Sequence, residues 1–504
     1  MDISLNRSII QRRKQICILN LIVSLIMYFF VTIGGLNEAY GLMRVYSVWT
    51  MLICVLLILS EVRFNGLSIM LIFFVGAMTR LSYPSFDMAQ RAMDGWKYYE
   101  QLDYTSYIFP ATVAMNIYYM IFILAATFFA KGKILSLDIN AVLDRIKFIN
   151  VLMVILYVIG VVARSFPIIF SFSATLGSFV TRFPQLVLLI LAFYCARNEK
   201  FSSRLLFYSI VGFELVYSIV FGFHKGPIVI DLFFIFLYAY LRSKYKCKKF
   251  ITPRLIVITV VVALFLNYII FPFISIKRVE SGWDPITNMT YYNYSNADIL
   301  RSVFDTAKEK VEDSEDDDME NSVVDRLNSI KSNAYFYMGA QIRGHDQSIL
   351  LSGLLGFIPP IFRSNIKVDP QGMMTVQYMQ SGTTKLSSTS LHSGDFTGLF
   401  GGAYFWGGWI GAMIMCFVNA FAFVAMFNYA TKWQNNLLSL LVLFLLLFNT
   451  ISCFEETSDG GVLDDLNYLY YVAFIYVSNK IFKVKPIHDN KDNKQTQRVK
   501  LKKV

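Results

Sequence analysis

Charge is scarce in this 504-residue chain, and so is cysteine in any usable arrangement. Charged residues make up 16% of it against 56% hydrophobic, a balance that leaves too little polar surface to cover a water-soluble domain of this size. The six cysteines (Cys17, Cys54, Cys195, Cys247, Cys416 and Cys453) are scattered, and none falls in the longest polar region. Neither a disulfide framework nor a zinc-ligand spacing can be built from them. A P-loop, the glycine pattern of dinucleotide-binding folds, H-E-x-x-H and G-x-S-x-G are all missing, so nucleotide hydrolysis and zinc proteolysis have no residues to work with. No internal repeat shows at a solenoid period or at half the chain length.

What the chain does have is long apolar runs. Lipid satisfies no backbone donors, so spanning segments must be helices or a closed barrel, and continuous rather than alternating runs select helices. About twelve spans are expected, over 16–36, 45–60, 65–81, 107–130, 149–164, 183–196, 205–222, 226–241, 255–275, 404–428, 436–453 and 466–482. The fold class is therefore an all-α polytopic integral membrane protein. Arg12, Arg13 and Lys14 precede the first run as in a signal peptide, but that run is long enough to span and is read as a retained helix. The net charge of +11 sits mostly in short loops and the tail. "QRRK", "KGK" with Arg145 and Lys147, "RNEK" with Arg204, "RSKYKCKK" and the basic tail all fall on one side of this arrangement. The positive-inside rule makes that side the cytoplasm and puts both termini there. The basic bias is thus topology, and no nucleic-acid partner is expected.

The chain divides accordingly into spans one to nine (1–275), a large extracytoplasmic loop with short interfacial segments (276–403), spans ten to twelve (404–482) and a basic cytoplasmic tail (483–504). Shorter outer loops are expected at 82–106 and, semi-apolar, at 165–182. The long loop is too large to be a connector and is the expected seat of function. Its run "EKVEDSEDDDMENS" reads as a solvated acidic segment, with cation binding as the lesser alternative. Further on, 349–358 is a greasy stretch bracketed by Arg343 and Arg363 and cut off by Pro359 and Pro360. As a helix it would reach about 15 Å, too short to cross a bilayer.

Three groups of residues could carry chemistry. In "IRGHD", Arg343, His345 and Asp346 set a fixed cation, a neutral base and a carboxylate side by side, and Arg363 follows the double proline. A guanidinium fork matches phosphate oxygens and keeps its charge; the alternative is an arginine that snorkels or pairs with a loop acid. In "STSLHSGDFTGLFGGAYFWGGWIGAMI", His392 and Asp395 precede a glycine-rich aromatic entry into the tenth span. A histidine there could take the proton of a sugar hydroxyl, or Ser, His and Asp could simply cap the helix. The third group is Glu214 and Asp231 inside spans seven and eight, with His224 and Lys225 at their outer turn. Intramembrane carboxylates point to function, unless neighbours such as Lys225 satisfy them or they are protonated. Arg164 and Arg182 flank the 165–182 loop and are further candidates for binding phosphate.

The layout resembles the bacterial O-antigen and oligosaccharide repeat-unit polymerases of the Wzy type. "GLLGFIPPIFRSNIKVDP" is similar to the glycine, proline, arginine, lysine-proline stretch of their large outer loop. "STSLHSGDFTGLFGGAYFWGGWIGA" resembles the following segment, which leads into a helix through an fGxxG-like pattern. The resemblance implies a metal-independent, GT-C-like glycosyltransferase without cofactor in the bacterial cytoplasmic (inner) membrane. Its substrates would be undecaprenyl-pyrophosphate-linked oligosaccharides, and a chain-length regulator would be a partner. Arg343 and Arg363 would hold pyrophosphate, and His345 or His392 would be the base. The arginine-to-glycine spacing of some members is not matched, because Gly353 and Gly356 follow Arg343 at other distances. Two alternatives remain: an O-antigen ligase, which shares layout and chemistry, and a lipid-linked oligosaccharide flippase, for which Glu214 and Asp231 speak. The 349–358 stretch is expected to dip into the outer leaflet and hold Arg343 and Arg363 at phosphate depth.

Overall fold

The computed structural model describes residues 3–62, 64, 67–94, 105–137, 148–166, 174–198, 200–220, 226–246, 253–274, 281–284, 289–292, 330–345, 350, 354–355, 357–358, 398–434, 436–452, 462–484 and 486. The structure is predominantly helical there. In chain order the helices are α1 (Ile3–Thr32), α2 (Tyr40–Val62), α3 (Ile69–Ala77), α4 (Tyr83–Met93), α5 (Thr105–Phe129), α6 (Ile149–Ser165), α7 (Ala174–Thr181), α8 (Phe183–Asn198), α9 (Phe201–Val220), α10 (Gly226–Tyr245) and α11 (Pro253–Phe265), followed by α12 (Ile330–Arg343), α13 (Gly398–Lys432), α14 (Leu437–Ser452) and α15 (Val462–Ile481). Two small antiparallel ribbons accompany them, β1 (Leu67–Ser68) with β2 (Ser136–Leu137) and β3 (Ser281–Asp284) with β4 (Met289–Tyr292). Among the described residues, six helices are long and apolar enough to cross a membrane: Asn6–Thr32, Tyr40–Val62, Ile69–Met93, Thr105–Phe129, Phe201–Val220 and Leu399–Lys432. Ile149–Ser165, Phe183–Asn198 and Leu437–Leu447 are apolar but shorter.

Two compact units form. The first is Met1–Arg145 with Ser329–Val504, and the second is Ile146–Asn328. Each unit is organised around one helix that is apolar on every side, which is what burial demands of a helix. In the first it is α5, which packs against α1, α12 and α13. In the second it is α8, gripped by α6, α9 and α10. Gly160 of α6 lies so close to α8 that a Cβ would come within 2.3 Å of Pro184 Cδ, so a small residue sets that helix spacing.

Buried polar side chains register the first unit. Trp49 Nε1 donates to Asn20 Oδ1 at 3.0 Å, and Asn116 Nδ2 donates to Ser24 Oγ at 2.9 Å and to Tyr46 OH at 2.7 Å. Asn20 Nδ2 closes the chain onto Asn116 Oδ1 at 3.3 Å. Such bonds join α1, α2 and α5 at fixed heights where unpaired polar groups would be costly.

Three expectations change, and part of a fourth segment is described. The 82–106 loop is in part helix: a π-helical segment, Met78–Ser82, carries α3 straight on into α4. Pro84, Ser85, Met88 and Ala89 are buried, α4 packs on α2, and Ser85 Oγ donates to Ser47 Oγ at 2.7 Å. The basic quartet "QRRK" is not a flank, because α1 begins ahead of it. Arg13 is 1% exposed, with Nε bonded to Glu61 Oε1 at 2.8 Å, whereas Arg12 and Lys14 stay exposed. The long outer loop contributes α12 to the core of the first unit, with Ala334 and Phe336 fully buried. Within 349–358, the described Leu350 packs beside Ala403, Met415 and Val462, and Phe357 rests on Tyr470, whose OH donates to its carbonyl at 2.8 Å. Leu350 and Phe357 thus have protein neighbours, while Leu354 remains 46% exposed.

Candidate functional site

In the first unit, His345 of the first sequence group meets the glycine-rich aromatic helix entry of the second. Helix α12 stops at Arg343, and Gly344 at φ 85° turns the chain off the helix axis, a left-handed exit that glycine makes at little cost. The exposed His345 follows. It lies against a break in α13, where Gly407 (φ −147°, ψ 15°) and Gly408 (φ 58°, ψ −148°) leave helical geometry. The Gly408 conformation belongs essentially to glycine. A Cβ on Gly408 would lie 2.9 Å from His345 Nε2, so the missing side chain is also what makes room for the imidazole. Gly411, the second glycine of the fGxxG-like pattern, would drive a Cβ to 2.8 Å from the Ala403 carbonyl oxygen.

Aromatic rings floor this place. Tyr404 stands edge to face with His345 at 6.0 Å and stacks on Tyr337 at 4.8 Å. Trp409 Nε1 donates to Tyr28 OH at 2.9 Å, and the Tyr28 and Tyr337 hydroxyls share a 2.8 Å hydrogen bond. Gln341 Nε2 donates to Tyr404 OH at 2.6 Å, and Gly401 N donates to Asn333 Oδ1 at 2.8 Å, tying α13 to α12. The result is a hydrogen-bonded aromatic surface with an accessible base at its edge. Broken backbone at such a place is tolerated only where protein or a polar cavity covers it.

The third group gathers in the second unit, in a combination the sequence does not announce. Arg164 Nη2 donates to both Glu214 oxygens, at 2.9 and 2.8 Å, and Tyr157 OH donates to Glu214 Oε1 at 2.7 Å. Arg164, expected as a phosphate ligand, thus spends its guanidinium on the carboxylate expected to stand apart from it. Tyr217 lies under that guanidinium at 6.0 Å. Asp231 is 2% exposed and its Oδ2 has no hydrogen-bond partner. Arg182 sits half-buried between α7 and α8, its carbonyl accepting from Leu186 N at 3.0 Å.

His392, Asp395, Asp346, Arg363, His224 and Lys225 lie outside the described residues, and of Arg343 only the backbone is described. Residues the sequence reading passed over include Tyr28, Tyr337, Gln341, Tyr157 and Glu61. Tyr404 and Trp409 lay within the quoted aromatic-glycine segment, but nothing in the local pattern distinguished Tyr28 or Tyr337. Among the described residues no three His, Cys, Asp or Glu side chains gather where a metal ion could sit.

Taken together, the helices define a helical, multi-pass membrane protein. Comparison with family models, with curated proteins and with solved structures gives no match.

Proposed function

We propose that this chain is a membrane glycosyltransferase that polymerises undecaprenyl-pyrophosphate-linked repeat units into surface polysaccharide, O-antigen or capsule, on the outer face of the bacterial cytoplasmic membrane. The observation that carries this reading is the exposed His345 imidazole held on Gly408 beside Tyr404. Aromatic planes edged with hydroxyl and indole N–H groups suit a sugar, which offers apolar C–H faces and polar rims. The acceptor hydroxyl gives its proton to a ring nitrogen of His345 while its oxygen attacks the donor's anomeric carbon. The bond from that carbon to the pyrophosphate oxygen breaks, and undecaprenyl pyrophosphate leaves with the electron pair. Arg343, just ahead of His345 in the chain, and Arg363 would offset the charge growing on that leaving group. A chain-length regulator would be a partner of the same reading.

The test is gel analysis of surface glycan in cells lacking this chain, complemented with wild type or His345→Ala. A ladder collapsing to one repeat unit, restored by wild type and not by a well-expressed variant, is the expected result. Loss of all surface glycan would instead mean a ligase that transfers finished chains. One observation favours a transporter: the buried Asp231 carboxyl, whose Oδ2 has no hydrogen-bond partner, within electrostatic reach of the Arg164–Glu214 pair. In that case lipid-linked units would accumulate on the cytoplasmic face, and His345→Ala would complement normally.

A further inference from the structure

At the end of the first unit that carries Lys14, Lys131 and Lys133, away from His345, a groove of about 630 Å³ opens between α1, α5 and α13. Along α1, Lys14 and Tyr28 are separated by roughly 20 Å of helix, so the groove and the aromatic site belong to opposite ends. Lys14 and Lys131 line it as its cations, and no acidic residue stands among the described lining. Both lysines are exposed, and neither is paired with a carboxylate among the described residues. Their neighbour Arg13 differs: its charge is already neutralised by Glu61. Lys131 and Gly132 both take positive φ, 52° and 67°, in the turn that ends α5.

The walls are mainly apolar, with Asn428 as a polar member of the lining. Phe128 is 73% exposed and Phe421 58% exposed, and Phe129 stands edge to face with Phe421 at 5.4 Å. Thr127 forms part of the lining, and its Oγ1 accepts from Arg13 Nη1 at 3.5 Å. A free inorganic anion would be served by the lysines alone and would leave these phenyl faces uncovered. An amphipathic anion uses both halves of the groove. We propose that the groove binds an anionic phospholipid, its phosphate between Lys14 and Lys131 and an acyl chain laid on Phe128 and Phe421. The site is independent of the glycosyltransferase reading, because it shares no residue with it.

The test uses the purified full-length chain in phosphatidylcholine nanodiscs, titrated with phosphatidylglycerol or with inorganic phosphate. Retained lipid is read by native mass spectrometry, and the thermal midpoint is followed in parallel. Phosphatidylglycerol should be retained and raise the midpoint, while inorganic phosphate at equal concentration does neither. Lys14→Gln with Lys131→Gln should weaken retention by about thirtyfold, as two lysines beside an anionic headgroup imply, and Lys14→Arg with Lys131→Arg should keep it. The lysines are exposed, so the midpoint in pure phosphatidylcholine should not move, which separates lost binding from lost folding. Equal retention of both lipids, an equal shift with inorganic phosphate, or a glutamine double variant that binds like wild type would each overturn the proposal.

Discussion

Each unit holds an arginine–glutamate pair, one buried and one part-buried, and the two are built differently. Arg13 brings Nε and Nη2 to one oxygen of Glu61, with both side chains at most 1% exposed. Arg164 brings one nitrogen to both oxygens of Glu214, keeps 25% of its side chain exposed, and shares the carboxylate with Tyr157. The first pair is sealed from solvent, with Glu61 Oε2 left without a hydrogen-bond partner. The second has a further buried carboxyl, Asp231, within electrostatic reach, so the group carries an extra acid. A pair sealed in this way fixes helix packing, since its attraction has to offset the desolvation of two ions and neither side chain is open to a ligand. An open group with an orphaned carboxyl is the kind that can change its proton or its partner.

The largest effect expected from this contrast is on Glu61. Glu61→Ala leaves a guanidinium buried without a counter-charge, which should cost about 3–5 kcal/mol and show as lost monodisperse protein after detergent extraction. Arg13→Met with Glu61→Leu should recover most of that loss; a double variant as damaged as the single would mean the pair does more than cancel charge. Glu214→Ala should cost less, about 2 kcal/mol, because Arg164 can turn its exposed edge toward water, and thermal unfolding would measure the difference. An equal loss at the two sites would break the comparison. Asp231→Asn should be the mildest, stabilising slightly or not at all, since it removes a buried carboxyl that has no hydrogen-bond partner on Oδ2. It should also leave the glycan ladder intact, whereas an abolished ladder would move the functional weight to the second unit.

The same contrast explains what could be read from sequence. Helix positions were legible because apolar runs leave the backbone few other options in lipid. Arg13 was not, since a basic residue ahead of an apolar run looks the same whether it faces the cytoplasm or a glutamate 48 positions away. The Arg164–Glu214 pair is likewise 50 residues apart in the chain. Helix α4 was hidden because its buried face, Pro84, Ser85, Met88 and Ala89, alternates with polar residues and reads as loop. Helix α12 was hidden because it sits inside a polar stretch. At the candidate site, His345 and the glycines stood out by type, but their meeting did not. It depends on α12 and α13 being packed together around α5, a tertiary fact with no local signature.

The central claim is that sugar transfer takes place where His345 meets the broken α13. Its most direct test is to give the purified chain, in proteoliposomes, an undecaprenyl-pyrophosphate-linked repeat unit and follow product length by gel and mass spectrometry. Wild type and Asp231→Asn should both build chains of many repeats, while folded His345→Ala should leave the substrate as single units. Chains of wild-type length from His345→Ala, or no extension by wild type alongside transbilayer movement of intact substrate, would contradict the account.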